Sequence, residues 1–153
     1  MAAQNLDLID DIRAASRLMV RELGFMEATV AGTDYPPSAV HTILEIGIRG
    51  PMTAGRLARF LHLEKSSVSR LVRKLIESGE LTEMPDTDAR FKPLALTARG
   101  KRTLAALHAF GRRQVAGALQ RLTHAERRAV RDGLMLYARA LEADREAEAQ
   151  VAS

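Results

Sequence analysis

The stretch from Thr53 to Gly79, TAGRLARFLHLEKSSVSRLVRKLIESG, constrains this chain more than any other. In its second half Val68, Leu71, Val72, Leu75 and Ile76 fall at i, i+3, i+4, i+7 and i+8, one apolar stripe of a helix that must be buried. At about 100° per residue the opposite pole carries Ser66, Arg70, Arg73 and Glu77, with Ser69 and Lys74 beside them. Arg70 and Lys74 are like charges one turn apart, an arrangement that destabilises an isolated helix by about 0.2–0.5 kcal/mol and that an anionic partner offsets. The first half is shorter. Thr53 suits an N-cap, Leu57, Ala58 and Leu61 supply the inner face of little more than two turns, and Leu63 falls in the turn as an apolar plug. Glu64 stands where a carboxylate caps the next helix and meets its dipole. A short helix, a tight turn and a longer helix with a cationic face make a helix-turn-helix, whose second element enters the major groove of DNA. A structural helical hairpin with a solvated charged face shares this spacing and is the competing explanation.

The period changes after Gly79. Leu81–Met84 and Phe91–Leu96 have the character of two short strands around the polar, turn-rich stretch from Pro85 to Arg90. A β-hairpin directly after a helix-turn-helix is a wing, from which Arg90 and Lys92 reach phosphates or the minor groove.

Helices flank this unit. Ile9, Ile12, Ser16, Met19, Leu23, Met26 and Val30 recur at three and four residues, a long helix with a narrow seam that Gly24 interrupts. A loop from Ala31 to Pro37 follows, then a helix that opens on Pro37, carries Val40, Ile43, Leu44 and Gly47, and stops at Gly50-Pro51. Thr97 caps a third long helix through Leu104, Leu107, Gly111, Val115, Ala118 and Leu122. Thr123-His124-Ala125-Glu126 has the form of a capping box opening a last helix through Val130, Leu134, Tyr137 and Leu141, and the tail from Asp144 is expected to fray. The expected fold is mainly α with a small β-hairpin wing: a winged helix-turn-helix region over 36–97 between helices at 5–31 and 98–148. A small winged domain cannot bury three narrow seams alone, so these flanking helices are expected to pair with those of a second copy in a symmetric dimer.

Composition narrows the function. The 153 residues, 46% of them hydrophobic, suffice for one domain with a real core. A net charge of +4 suits nucleic acid or an anionic surface. The absence of cysteine rules out disulfides and thiolate metal sites. The N-terminal stretch, with Asp7, Asp10 and Asp11, is no secretory signal, and no run approaches the length of a membrane span, so a cytoplasmic protein with no membrane partner is expected. His41, His62, His108 and His124 form no metal-binding pair, and HExxH, GxGxxG, P-loop and GxSxG patterns are all missing. Neither catalysis nor a cofactor nor a metal is expected.

With these residues assembled, the chain resembles the MarR family of winged-helix transcription regulators over roughly residues 9 to 145. The resemblance is carried by Leu63-Glu64-Lys65-Ser66-Ser67-Val68-Ser69-Arg70-Leu71-Val72, by Asp88-Ala89-Arg90 in the wing, and by Leu96-Thr97-Ala98-Arg99-Gly100 beyond it. It implies a homodimer on a palindromic operator in double-stranded DNA, recognition helices in successive major grooves and wings in the flanking minor grooves. Repression is the commoner outcome in the family, and a small anionic or aromatic ligand often releases the DNA. Family geometry would put that ligand near Arg17, Arg21, Tyr35 and His41. Two positions depart from the family pattern: Ala89 replaces the first of two wing arginines, leaving Arg90 braced by Asp88, and His62 stands where glycine is common, in a turn that favours positive φ. The stretch Tyr35–His41 is similar to that of members fused to an acetyltransferase, for which these residues leave no room.

Within the recognition segment, base reading falls to Arg70 and Arg73, since arginine pairs in bidentate fashion with guanine. Ser66, Ser67 and Ser69 suit phosphates or short base contacts, and Lys65 and Lys74 suit the DNA backbone. The competing function is a winged-helix module for protein contacts, without sequence-specific DNA binding.

Overall fold

The computed structural model describes residues 2–85, 88 and 90–152, which form six helices and one antiparallel hairpin. In chain order these are α1 (Ala2–Glu22), α2 (Pro37–Arg49), α3 (Ala54–Leu61), α4 (Lys65–Glu77), β1 (Leu81–Glu83), β2 (Leu94–Leu96), α5 (Ala98–Leu119) and α6 (His124–Val151). Two compact units divide the chain, Met1–Gly111 and Arg112–Ser153.

The core of the first unit lies where α2, α3, α4 and the hairpin meet, and Ile43, Leu57, Val68, Leu75 and Leu81 are all at most 2% exposed there. Removing one such leucine from water contributes about 1.5–3 kcal/mol. Helix α2 opens with Pro37 at its first position, where the missing N–H costs no hydrogen bond, and Gly50 follows its last turn at φ 84°. The hairpin pairs Leu81 with Leu96, Thr82 with Ala95 and Glu83 with Leu94. A one-residue bridge extends it: Met52 and Leu94 exchange backbone hydrogen bonds of 3.1 and 2.8 Å, so the segment entering α3 is stitched to the wing.

The first helix is shorter than its apolar period suggests. It ends at Glu22 instead of running to Val30, because Gly24 adopts φ +82° and the chain closes in a Schellman motif: Phe25 N–H donates to Val20 O and Gly24 N–H to Arg21 O. Ser16, the polar break in the seam, turns its hydroxyl onto Ile12 O at 2.8 Å. Leu6, Leu8, Ile9, Leu18 and Met19 on this helix remain exposed.

The strands are also shorter than expected. Strand β2 starts only at Leu94, and Pro93 before it, with no N–H to give, contributes its carbonyl alone, which accepts the Met84 N–H at 2.7 Å. Asp86, Thr87 and Ala89 of the expected wing tip lie outside the described residues.

At the far end of the wing, Thr97 Oγ1 accepts the Gly100 N–H at 3.0 Å and opens α5, as its cap position requires. Gly100 has no room for a side chain, since a Cβ there would collide with the Glu80 carbonyl oxygen. Gly100→Ala is therefore expected to destabilise the fold by about 1–3 kcal/mol, the usual cost of overpacking, read as a lower denaturant midpoint at unchanged slope.

In the second unit, Thr123 and Glu126 form the expected capping box: Thr123 Oγ1 accepts from Glu126 N–H, and Glu126 Oε2 accepts from Thr123 N–H at 2.7 Å. The Thr123 backbone N–H, followed by its hydroxyl, holds the Glu126 carboxyl below the ordinary glutamate range. Arg127 Nε donates to Leu119 O at 2.9 Å and Leu122 O at 3.1 Å, two carbonyls of the turn that ends α5. The last helix does not fray at Asp144. It continues to Val151, through alanines and glutamates of high helix propensity. Val130, Leu134, Tyr137 and Leu141 are 40–51% exposed along it. Among the described residues no helix is long and apolar enough to cross a membrane, and no group of three or more His, Asp or Glu side chains is placed to hold a metal ion.

Candidate nucleic-acid interface

Helix α4 is pinned from within. Val68, Val72 and Leu75 are buried, Leu71 and Ile76 half-buried, so the opposite face is turned outward. Lys65, Ser66, Ser69, Arg70, Arg73 and Lys74 are exposed there, and Ser67 is half-buried. Among the described residues no carboxylate pairs with the four cations, although Glu64 and Glu77 stand on the same segment. An exposed cationic face without internal partners is electrostatically ready for an anion.

The angle of that face is set by the turn before it. Thr53 Oγ1 accepts the Arg56 N–H and caps α3. His62 then takes φ 52°, ψ 44°, with its N–H on Arg59 O and the Leu63 N–H on Ala58 O, the same closure seen at Gly24. Two details differ from expectation. Glu64 occupies the N-cap of α4 without a side-chain hydrogen bond, since caps favour the shorter Ser, Thr, Asp and Asn. Leu63 is exposed instead of plugging the turn.

The wing brings further charge. Arg90 grips Asp88 with Nε on Oδ1 at 3.1 Å and Nη2 on Oδ2 at 3.0 Å, and its backbone N–H also donates to Oδ1 at 3.0 Å. Lys92 lies 3.5 Å from Glu83. Between the start of α3, helix α4 and the wing runs an open concavity of about 640 Å³, lined among others by Thr53, Gly55, Ser69, Arg73, Arg90 and Lys92. The structure thus brings one base-reading candidate and two wing cations onto a single surface.

The Arg90 side chain and N–H hold the Asp88 carboxyl below the ordinary aspartate range. A lowered carboxylate pKa means that the clamp is fully formed above the ordinary value and is lost only as pH falls through the lowered one. The Arg90 Nε–H resonance is expected to stay constant from neutral pH down past the usual aspartate midpoint and to shift only below it. A shift centred at the usual midpoint would show no clamp.

A second cationic cluster went unread in the sequence. Arg49 lies 4.1 Å and Arg56 5.5 Å from the centroid of the Phe60 ring. The i, i+4 spacing of Arg56 and Phe60 was the available signal, but Arg49 is on another helix.

The four residues given to a ligand are distributed differently. Arg17 and Arg21 are exposed on α1, and half-buried His41 stacks on Phe25 with ring centroids 5.7 Å apart. The Tyr35 hydroxyl donates to Glu80 Oε1 at 2.9 Å. No hydrogen bond or ring contact joins these four to one another among the described residues.

Residues 33–90, which span α2, the helix-turn-helix and β1, match the model of the MarR family. Through this region, a little over a third of its length, the chain is similar to the MarR family. Solved structures agree with a MarR-type fold over most of the length. RV1404 from Mycobacterium tuberculosis superposes with a TM-score of 0.72 at 24% identity, covering 88% of this chain and 92% of that one. FabT of Streptococcus pneumoniae, solved in complex with DNA, gives 0.76 at 19% identity, with 88% and 97% covered. MepR, a transcription regulator of the Staphylococcus aureus multidrug efflux pump MepA, gives 0.65 at 20% identity, with 85% and 95% covered. At these identities the likeness is one of fold. No protein of curated function matches the sequence.

Proposed function

We propose that this chain is a MarR-family transcription regulator that binds a palindromic operator as a homodimer and represses by occupying the promoter. The observation that carries the proposal is the outward face of α4, where Lys65, Arg70, Arg73 and Lys74 stand exposed and Arg73 shares a concavity with the wing cations Arg90 and Lys92. Arg70 and Arg73 read bases from the major groove; Ser66, Ser67, Ser69, Lys65 and Lys74 take phosphates; the Asp88-braced Arg90, with Lys92, engages the flanking minor groove. The FabT complex supports DNA as the partner of this fold. Pairing is supported by the uncovered apolar stripes on α1 and α6, which a second copy would remove from water.

The test is selection of duplexes from a randomised library, followed by affinity measurements over a range of salt. An enriched inverted repeat, bound with a steep salt dependence, is the expected result. A library that returns no sequence, with weak binding insensitive to salt, would favour a protein-contact module instead. Release by a small aromatic or anionic effector is the regulatory half of the proposal, with Arg17, Arg21, Tyr35 and His41 as its contacts. Aromatic carboxylates titrated into the complex should then weaken DNA binding, and a panel without effect would remove that half.

A further inference from the structure

We propose that Glu80 is a positioning residue for DNA recognition: its buried carboxylate fastens the end of α4 to the loop before α2 and to the first turn of α5, fixing the angle at which the recognition face is presented. The inference rests on the DNA-binding function proposed above.

Glu80 is 1% exposed, an unusual place for a carboxylate directly after a helix. Its Oε1 accepts from the Tyr35 hydroxyl at 2.9 Å and from Arg99 Nε at 3.1 Å, donors that come from opposite sides in sequence. Oε2 is buried with no hydrogen-bond partner. The backbone of the same residue is equally committed: its N–H donates to Leu75 O at 2.9 Å in the last turn of α4, and its carbonyl accepts the Thr97 N–H at 3.0 Å. Three segments therefore cross at one residue.

The Tyr35 loop is itself wound tightly. Val30 N–H donates to Tyr35 O, and Ala31 and Gly32 both take positive φ, 58° and 65°, the first a strained conformation for a residue with a side chain. Strain of that kind persists where surrounding contacts enforce it, and the Tyr35–Glu80 hydrogen bond is one such contact.

Stability does not explain the arrangement. A half-satisfied buried carboxylate is costly, and an apolar side chain of similar volume commonly does as well or better in such a place. Arg99 is 61% exposed and would stay solvated without its partner, and the Tyr35 hydroxyl has Ser78 Oγ within 3.4 Å. What the charge adds is direction: it accepts both donors only when α4, the loop and α5 stand in one mutual arrangement. Helix α5 begins at this junction, so the carboxylate refers the recognition helix to the first turn of α5 within the same unit.

The experiment compares wild type, Glu80→Leu, Glu80→Gln and Tyr35→Phe on the duplex that wild type selects, on a scrambled duplex, and on the selected duplex with one base pair added between its half-sites. Glu80→Leu is expected to melt no lower than wild type and to bind the selected duplex about tenfold more weakly with scrambled binding unchanged. It should also discriminate less against the lengthened spacer. Glu80→Gln, which keeps an acceptor oxygen, and Tyr35→Phe should fall between. Should Glu80→Leu not fold, the two milder variants carry the same readouts. Variants with wild-type affinity and spacer discrimination, or with equal losses on selected and scrambled duplexes alongside lowered melting, would overturn the role and leave a structural one. A wild-type chain that selects no duplex overturns the DNA-binding function and this role with it, whereas one that selects a duplex while all variants match it overturns this role alone.

Discussion

Leu134→Asp combined with Leu141→Asp is expected to give a folded monomer that binds the selected palindrome about 10²- to 10⁴-fold more weakly, because the second half-site no longer benefits from linkage to the first. The two leucines are 45% and 51% exposed and lie one heptad apart on α6, with Val130 and Tyr137 on the same stripe. Carboxylates there would have to be buried without partners if a second chain packed on the stripe, a penalty of several kcal/mol for each unpaired charge. An exposed helix facing only water would accept them with little effect. Sedimentation equilibrium separates these outcomes, and circular dichroism checks that the helix survives. A double variant that still sediments as a dimer would place the pairing surface elsewhere.

The second large effect is on reading. Arg70→Ala is expected to cost about 1–3 kcal/mol on the selected duplex and to relax preference at the bases it contacts, while Lys74→Ala weakens all sequences alike and reduces the salt slope by about one. Both side chains are exposed on α4 and neither has an internal partner among the described residues, so both substitutions should leave the fold intact. The contrast is geometric: a planar guanidinium matches the paired acceptors of guanine, and an ammonium on a flexible stem neutralises a phosphate in any sequence. Equal losses on selected and scrambled duplexes for both variants would remove the distinction.

What the amino-acid order disclosed and what it withheld follow from the range of the interactions involved. The two faces of α4, the cap at Thr53 and the box at Thr123–Glu126 are local patterns, set by neighbours within a turn or two, and each is found where its spacing requires. Gly24 was visible as an interruption; that it ends the helix depends on the Schellman closure, which no single residue announces. The tail beyond Asp144 is polar in composition, but the helix propensity of its alanines and glutamates outweighs that and keeps it helical. Glu80 was missed for a different reason. In Ser-Gly-Glu-Leu a carboxylate has the look of a solvated turn, and only the arrival of Tyr35 and Arg99, 45 and 19 residues away, puts it in the interior. Long-range polar contacts of this kind leave no periodic trace. The pairing of Arg49 with Phe60 escaped notice on the same ground.

The bridge between Met52 and Leu94 bears on how the chain would treat duplexes of different stiffness. Because the stretch leading into α3 and the outgoing strand share two hydrogen bonds, the base of the wing that carries Arg90 is tied to the helix pair. In the proposed complex a mismatch between the reach of the wing and the width of a flanking groove would then fall on the nucleic acid, and tracts outside the contacted bases would be ranked by how readily they deform.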